Sequence, residues 1–182
     1  MKRHLPDIKT CAAPLAIAAC LLPLIQGCNT AGCSDNHSAL PLMGFYDYAT
    51  GQSMSLDFLD MHGVGAPGDS LLIHAGERVS QIYLPFRSDS EVSAFCLHYD
   101  YPSQGLDLPE LNDTITFRYD VQPYFASSEC GAMYSYRIRS CTFTRHLIDN
   151  VVIADSMITN IERERIMVYF RTATPGEEEE TL

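Results

Sequence analysis

Apolar and polar side chains alternate along much of this chain with a period of two residues. The clearest run is 114–121, in which apolar side chains at the odd positions are separated by polar or charged ones. This alternation is typical of a β-strand with one face in a core and one in water. Further β-rich runs accompany it, and together the runs are 44–48, 54–61, 71–74, 80–86, 92–99, 114–121, 134–143, 151–153 and 165–171.

Turn-rich segments separate these runs, most clearly at 62–69 and 101–113. Seven to nine short strands at this spacing predict an all-β fold, an antiparallel β-sandwich with an immunoglobulin-like arrangement. The chain has no Trp, which excludes the Cys-Trp-Cys core of antibody domains. A change of apolar parity near Ser140 predicts a β-bulge or a change of sheet. Residues 156–164 are the one segment that suggests a short helical turn.

The first residues have the organisation of a bacterial lipoprotein signal. A basic start precedes a short apolar run, 11–25, and the sequence Ile-Gln-Gly-Cys then ends at Cys28. A spanning helix needs about 20 apolar residues and this run contains two prolines, so we expect it to be cleaved. Removal of residues 1–27 would leave Cys28 to carry the acyl chains that hold the protein to a membrane. Two alternatives stay open: lipidation at Cys20, and an ordinary signal peptide that is cut elsewhere.

The remaining chain is long enough for one domain. We expect a lipid-anchored tether at 28–40, the β-sandwich at 41–172 and an acidic, disordered tail at 173–182. The formal net charge is −11 and no lysine follows Lys9. A surface of this sign repels nucleic acid, and a processed chain without lysine excludes P-loop and Schiff-base chemistry.

Four cysteines follow Cys28, and an even number in an exported domain predicts up to two disulfides. We favour a bridge between Cys33 and Cys130, because it would fasten the tether to the domain. Cys96 and Cys141 lie in apolar runs, where they either pair or remain buried thiols. No Cys-x-x-Cys or Cys/His zinc spacing occurs, so the sequence predicts no metal and no cofactor.

His146 and Asp149 are the best candidates for a general base and its orienting carboxylate, with a serine such as Ser140 as the nucleophile. In a strand, however, His146 and Asp149 would face opposite sides of the sheet. We therefore expect His146 to be a hydrogen-bonded polar residue at a strand end. The sequence assigns no catalytic residue.

An acidic loop and a set of tyrosines are the remaining binding candidates. The loop could collect calcium, but it lacks the EF-hand order of ligands, and we interpret its acidic residues as solvated charges. The tyrosines either form an aromatic face for glycan or protein, or complete the core. The acidic residues are Asp100, Asp107, Glu110 and Asp113, and the tyrosines are Tyr83, Tyr99, Tyr101, Tyr119, Tyr124, Tyr134 and Tyr136.

Several short motifs, taken in order, resemble those of a family of small envelope lipoproteins from Bacteroidota, classed as a domain of unknown function. They are Cys33 soon after Cys28, followed by 44–46, 117–119, 123–125, 129–131, 146–149, 151–153 and 167–170. The resemblance implies an envelope lipoprotein with a β-sandwich domain and carries no activity with it. Cys96, Cys141 and residues 177–180 depart from the family pattern.

The same resemblance implies a modification. Exported proteins of this phylum can be O-glycosylated at Asp-Ser or Asp-Thr followed by an apolar residue. Three triplets match, with acceptors at Ser70, Thr114 and Ser156. The alternative is that these triplets are turn and strand-start sequences, since Asp and Ser side chains bond nearby backbone.

We therefore expect a membrane-anchored envelope lipoprotein whose non-catalytic β-sandwich binds or scaffolds another envelope component, a protein or a glycan. Asn29 follows Cys28 with no acidic residue beside it, which favours the outer membrane and a periplasm-facing domain. The alternatives are a hydrolase of cell-wall or capsular polysaccharide that uses His146, and a calcium-stabilised adhesin.

Overall fold

Strands make up nearly all of the regular structure in the computed structural model. It describes residues 39–66, 71–101, 106–107, 109–127 and 131–171, which lie within one compact unit, Asp35–Leu182. One turn of 3-10 helix, Pro109–Leu111, precedes the longest strand. The strands are β1 Leu42–Asp47, β2 Leu59–Gly63, β3 Leu71–Ile73, β4 Gln81–Tyr83, β5 Val92–Tyr101, β6 Leu106–Asp107, β7 Asp113–Ser127, β8 Gly131–Phe143, β9 Ile148–Ile153, β10 Met157–Ile158 and β11 Glu164–Phe170.

The strands form two sheets that pack together, which confirms the predicted all-β sandwich. The smaller sheet has the order β4-β1-β11-β9, and the larger one the order β10-β8-β7-β5-β2-β3, with β6 paired to β5. Pairing is antiparallel except that β1 runs parallel to β11. Each predicted run overlaps a strand, whereas β6 and β10 were not predicted. The immunoglobulin-like arrangement stays a prediction.

The core is the inner face of both sheets, as strand alternation requires. Ile115, Phe117 and Tyr119 of β7 are almost completely buried, and Phe45 and Phe170 of the smaller sheet belong to the same core cluster. The rings of Phe45 and Phe170 pack edge to face with centroids 5.7 Å apart. Aromatic pairs of this kind add to the free energy gained from burial alone.

The bulge predicted near Ser140 is confirmed. Arg118 pairs with Ser140 and the next residue, Tyr119, pairs with Ile138, so Arg139 is the extra residue on β8. A bulge of this kind moves the following side chains to the other face of the sheet. It thereby keeps the apolar residues on both sides of the bulge directed at the core.

The helical turn suggested for 156–164 was wrong. This segment contains β10 and bends around the guanidinium group of Arg165, whose side chain is buried. The group donates to the Asp155 carboxylate at 2.8 Å, to the Thr159 hydroxyl at 3.0 Å and to the carbonyl oxygens of Met157 and Ile161. Burial lowers the pKa of Arg165. The guanidinium group thus donates to the carbonyl oxygens of Met157 and Ile161, which in a helix would accept from backbone N–H groups.

The strands run between two ends of the sandwich. We call one the arm end, where β1 and β11 begin and the β7–β8 hairpin has its tip. We call the other the Asp113 end, where β7 begins and β1 and β11 finish. The chain enters β1 at the arm end. No helix among the described residues has the length and apolar character needed to cross a membrane.

Candidate functional site

The hairpin of β7 and β8 projects beyond the rest of the sandwich. On one side, the pairing of β7 with β5 stops at Arg118, opposite Val92. On the other side, the pairing of β8 with β10 covers only Tyr136 and Arg137. Residues 121–127 and 131–135 therefore pair only with each other among the described strands. We call these two segments the arm.

One face of the arm continues the core face of the larger sheet. Val121 pairs with Tyr136, Pro123 with Tyr134 and Phe125 with Ala132, in the same alternation as the buried residues before them. Because the smaller sheet does not extend this far, the face is exposed: Phe125 is 73% and Tyr134 40% accessible. On the opposite face, the Tyr124 hydroxyl donates to the Met133 sulfur at 3.7 Å.

Two grooves open toward the arm end of the sandwich, and the first of them includes arm residues. The first, of about 350 Å³, lies between the segment Ala39–Leu40 and residues 132–136 of β8. The second, of about 410 Å³, lies between residues 63–66 and the start of β5. Pro85 lines both grooves. The lining of the second groove is mostly apolar, as is usual for binding clefts, whereas the first groove exposes polar and apolar surface in nearly equal amounts.

Aromatic packing fixes the base of the arm. The Phe86 ring stacks on Tyr119 at 4.5 Å and meets the edge of Tyr136 at 5.7 Å. The Tyr119 hydroxyl donates to the Arg87 carbonyl at 3.0 Å and lies 2.7 Å from the Ser93 hydroxyl. The arm therefore starts from an ordered, hydrogen-bonded platform.

The Asp113 end is built around one fully buried carboxylate. Asp113 is 0% accessible, and each of its oxygens accepts several hydrogen bonds. The backbone N–H groups of three consecutive residues, 146–148, donate to it at 2.8 to 2.9 Å. The hydroxyls of Thr144 and Tyr99 donate at 2.6 and 2.9 Å. Asp113 thus holds the connection that crosses from β8 to β9 and joins the two sheets.

The proposed base and orienter are not brought together. The Asp149 carboxylate accepts from Arg171 at 2.9 Å. The His146 ring places Nδ1 2.9 Å from the Asn112 carbonyl oxygen, so this nitrogen carries the proton in the neutral ring. His146 lies just before β9 with its backbone and ring bonded to the fold, whereas Ser140 lies at the bulge of β8.

The acidic loop is described only in part, since residues 102–105 and 108 lie outside the described residues. Asp113 faces the core and accepts hydrogen bonds from five protein donors, so interpreting it as a solvated loop charge was wrong. No group of three or more His, Cys, Asp or Glu side chains in the described segments is arranged to hold a metal ion.

The tyrosines divide between the core and the arm end. Tyr99, Tyr119 and Tyr136 are buried, while Tyr83, Tyr124 and Tyr134 are exposed. The side chain of Tyr101 lies outside the described residues. The aromatic face that the sequence suggested is thus limited to the arm end.

The bridge between Cys96 and Cys141 is not present, and both residues are free thiols. Cys96 pairs with Thr114 on the outer face of β5, whereas Cys141 pairs with Phe117 and packs against the core. They are separated by β7 and lie on opposite faces, which a disulfide cannot span. Burial raises the pKa of Cys141 to about 12 and also raises the pKa of Cys96. Cys28, Cys33 and Cys130 lie outside the described residues.

Two of the three O-glycosylation triplets lie in the described part of the chain, and Ser70 does not. Beside Thr114, the required Asp113 is buried. Beside Ser156, Asp155 accepts from the Met157 N–H and from Arg163 and Arg165. Both aspartates therefore have structural roles, in accordance with the turn and strand-start interpretation. Use of Thr114 and Ser156 as acceptors stays a prediction.

Sequence reasoning missed the arm. The alternation that ends at Val121 in our reading continues through Pro123 and Phe125, and Ala132 and Tyr134 continue it on the facing strand. The apolar alternation of β7 therefore extends beyond the part of the strand that the smaller sheet covers. This excess length is the pattern that could have revealed an exposed aromatic surface.

One comparison with known proteins gives a match. Residues 59–170 match a protein family that is described as "Family of unknown function (DUF6452)". No curated protein and no solved structure matches the chain. The matched segment begins at the first residue of β2 and ends at the last of β11, so it includes both the arm and Asp113. Because the match covers more than half of the length of the chain, the chain belongs to this family of unknown function.

Proposed function

We propose that this protein is a membrane-anchored envelope lipoprotein whose non-catalytic β-sandwich binds another envelope component at the arm end. Acyl chains on Cys28, exposed by removal of residues 1–27, would supply the anchor. An outer-membrane position facing the periplasm accords with Asn29 after the lipidated cysteine. The Bacteroidota origin of the resembling family favours the same assignment.

The observation that carries the binding proposal is the distribution of exposed apolar side chains. At the Asp113 end, Tyr48 is the large apolar side chain that stands out. At the arm end seven are exposed, and a concentration of this kind marks interaction surfaces. They are Leu40, Val64, Tyr83, Tyr124, Phe125, Tyr134 and Ile161. Leu40, Val64 and Tyr134 line the grooves, while the other two exposed apolar side chains, Leu71 and Val152, lie on β3 and β9.

The position of the tether supports an anchor on this side. Ala39 lines the first groove, so the chain between Cys28 and the domain enters at the arm end. Residues 28–38 can span at most about 36 to 40 Å when fully extended. The arm end is therefore the part of the domain that the anchor would hold nearest to the membrane.

The predicted Cys33–Cys130 bridge is compatible with this arrangement. Ala39 and Ala132 line the same groove, and Cys130 is two residues before Ala132 in the chain. A short segment would then connect Cys33 to the groove. We propose that this bridge fixes the tether to the turn of the arm, which would limit how far the domain can rotate on its anchor.

Site-specific photo-crosslinking in the native cells tests the binding proposal. Val64 and Tyr48 are both 55% accessible, but Val64 lines the second groove and Tyr48 lies at the Asp113 end. With benzoylphenylalanine at either position, we expect a specific adduct from position 64 and none from position 48. Equal adducts from both positions, or none from position 64, would overturn the binding proposal. Mass spectrometry of the purified protein tests the anchor, since an unmodified Cys28 contradicts it.

A further inference from the structure

The arm differs in composition from the rest of this acidic protein. Residues 121–127 and 131–135 contain no charged residue, although 19% of the chain is Asp, Glu, Lys or Arg. The arm instead carries Tyr124, Phe125 and Tyr134, and Phe125 is the most exposed large apolar side chain described. An uncharged aromatic surface on an acidic protein is the part that can leave water at the lowest cost.

Basic side chains surround the base of the arm. Arg118, Arg137 and Arg139 are exposed on the outer face of the larger sheet, just below the arm. Arg139 pairs with Asp120. The two segments of the arm therefore carry no charge, and three arginines accompany Asp120 at its base. Residues 128–130, between the two segments, lie outside the described residues and include Glu129.

We propose that the arm inserts Phe125 and Tyr134 into the interfacial region of the lipid bilayer to which the protein is anchored. This inference rests on the proposed lipid anchor, which holds the arm end toward the membrane. Aromatic rings concentrate at the boundary between headgroups and acyl chains. Arginine side chains extend toward phosphates there while their stems stay on apolar surface. The order of aromatic arm, arginine base and acidic body matches that gradient from membrane to water.

Other occupants of the same face match its chemistry less well. Residues 29–38, which lead into the first groove, contain no large apolar side chain that could cover Phe125 and Tyr134. A second copy of the chain would bring two acidic proteins together, since the full chain already has a formal net charge of −11 and removal of its basic first residues makes it more negative. A bilayer of zwitterionic lipids has neither disadvantage.

The absence of tryptophan makes the experiment direct. Phe125→Trp introduces the sole tryptophan of the chain, and Tyr48→Trp provides a matched control at the opposite end. Each processed, lipidated protein is reconstituted into phosphatidylcholine vesicles whose acyl chains are brominated near the headgroup. Tryptophan emission and its quenching by bromine and by aqueous iodide are then measured.

We expect the tryptophan at position 125 to emit at shorter wavelength, and bromine to quench it at least about twofold more than the control. Iodide should quench the control more strongly. Tyr134→Trp provides a second reporter on the same face and should behave like Phe125→Trp.

Three results would overturn the inference. Equal iodide quenching at positions 125 and 48 would show that the arm stays in water. Protection from both quenchers that disappears when the protein is diluted into more lipid would show a second copy on the arm. A crosslink from position 125 to another polypeptide in cells, with no quenching by bromine, would assign the arm to a protein partner. Failure of the anchor is distinguishable, because the protein would then not be recovered with the vesicles at all.

Discussion

The two ends of β7 differ in burial: a polar side chain is buried at one end of the sandwich and an apolar one is exposed at the other. At its start, β7 places the Asp113 carboxylate in the core, where five donors surround it. At its finish, the same strand places Phe125 in solvent, with 73% of its surface accessible. A buried polar group is stable only when its hydrogen bonds are complete, whereas an exposed ring does not require a partner within the fold. The Asp113 end is therefore the part that holds the sheets together, and the arm end is the part available for contacts with other molecules.

Asp113→Ala should produce the largest loss of stability. The substitution leaves two hydroxyls and three backbone N–H groups buried without their acceptor, so we expect the free energy of unfolding to fall by about 3 to 5 kcal/mol. Urea unfolding followed by circular dichroism measures this value. Asp113→Asn is the matched control, because it keeps one carbonyl acceptor and should lose less. A loss below about 1 kcal/mol for Asp113→Ala would mean that water replaces the carboxylate.

Two buried tyrosines allow the same substitution at each end. Tyr99→Phe removes a donor to a charged acceptor, and Tyr119→Phe removes a hydroxyl that makes three hydrogen bonds to neutral groups. A bond to a charged group contributes about 1.5 to 3 kcal/mol and a neutral one about 0.5 to 1.5. We therefore expect the two variants to lose comparable stability, about 1.5 to 3 kcal/mol each, in the same urea assay. A loss below about 0.5 kcal/mol for either variant would contradict a stabilising role for that hydroxyl.

High pH should destabilise the folded protein through two groups that lie outside the arm. Burial raises the pKa of Cys141 to about 12, and donation of the Tyr46 hydroxyl to Glu164 at 2.5 Å raises the pKa of Tyr46 to about 12. In the unfolded chain both groups lose their protons at lower pH, near 8.5 for the thiol and 10 for the phenol. Their contribution to stability is complete below about pH 8.5 and is lost as the pH rises toward 12. Unfolding midpoints from pH 7 to 11 should show this decline. The double variant Cys141→Ala, Tyr46→Phe should reduce the decline, and an unchanged slope would contradict the assignment.

Thiol counting tests the predicted bridge at the tip of the arm. In the folded processed protein, Cys96 and Cys141 should react slowly with iodoacetamide at pH 8, because raised pKa values keep both thiols protonated. After unfolding, these two should react at once, and Cys33 and Cys130 should react only after reduction. Mass spectrometry gives the count in each state. Four reactive thiols without reductant would rule out the Cys33–Cys130 bridge.

Phe125→Ser should have the smallest effect on stability. Because the ring is exposed, we expect the free energy of unfolding to change by no more than about 0.5 kcal/mol. Phe86→Ser at the base of the arm is the contrasting variant, since its ring packs on several aromatic neighbours. A large loss for Phe125→Ser would show that the arm is covered within the folded chain, and it would weaken the interpretation of the arm as a contact surface.

The strands were predictable because each depends on a short, local pattern. The alternation in 114–121 and the parity change at Ser140 required only neighbouring residues, and both correspond to the observed β7 and its bulge against β8. The pairing of β1 with β11 depends instead on segments more than a hundred residues apart. No local pattern specifies that partner.

The roles of the polar residues were less predictable for the same reason. Asp113 resembled a loop carboxylate because its five donors come from Tyr99 and from residues 144–148, which the sequence does not place beside it. The arm was missed because Pro123 interrupts the expected strand composition, and because exposure depends on where the smaller sheet ends. Strand formation was thus visible in the sequence, whereas burial at either end of β7 was not.

The parallel contact between β1 and β11 has a mechanical consequence. A pull on the chain just before β1 would act at Leu42, and a pull on the chain just after β11 would act at Phe170, at opposite ends of the paired segment. Tension in this direction shears the two strands along their length, so all of their mutual hydrogen bonds resist at once instead of breaking one after another. The domain would therefore resist tension applied across these two strands without unravelling from either of them.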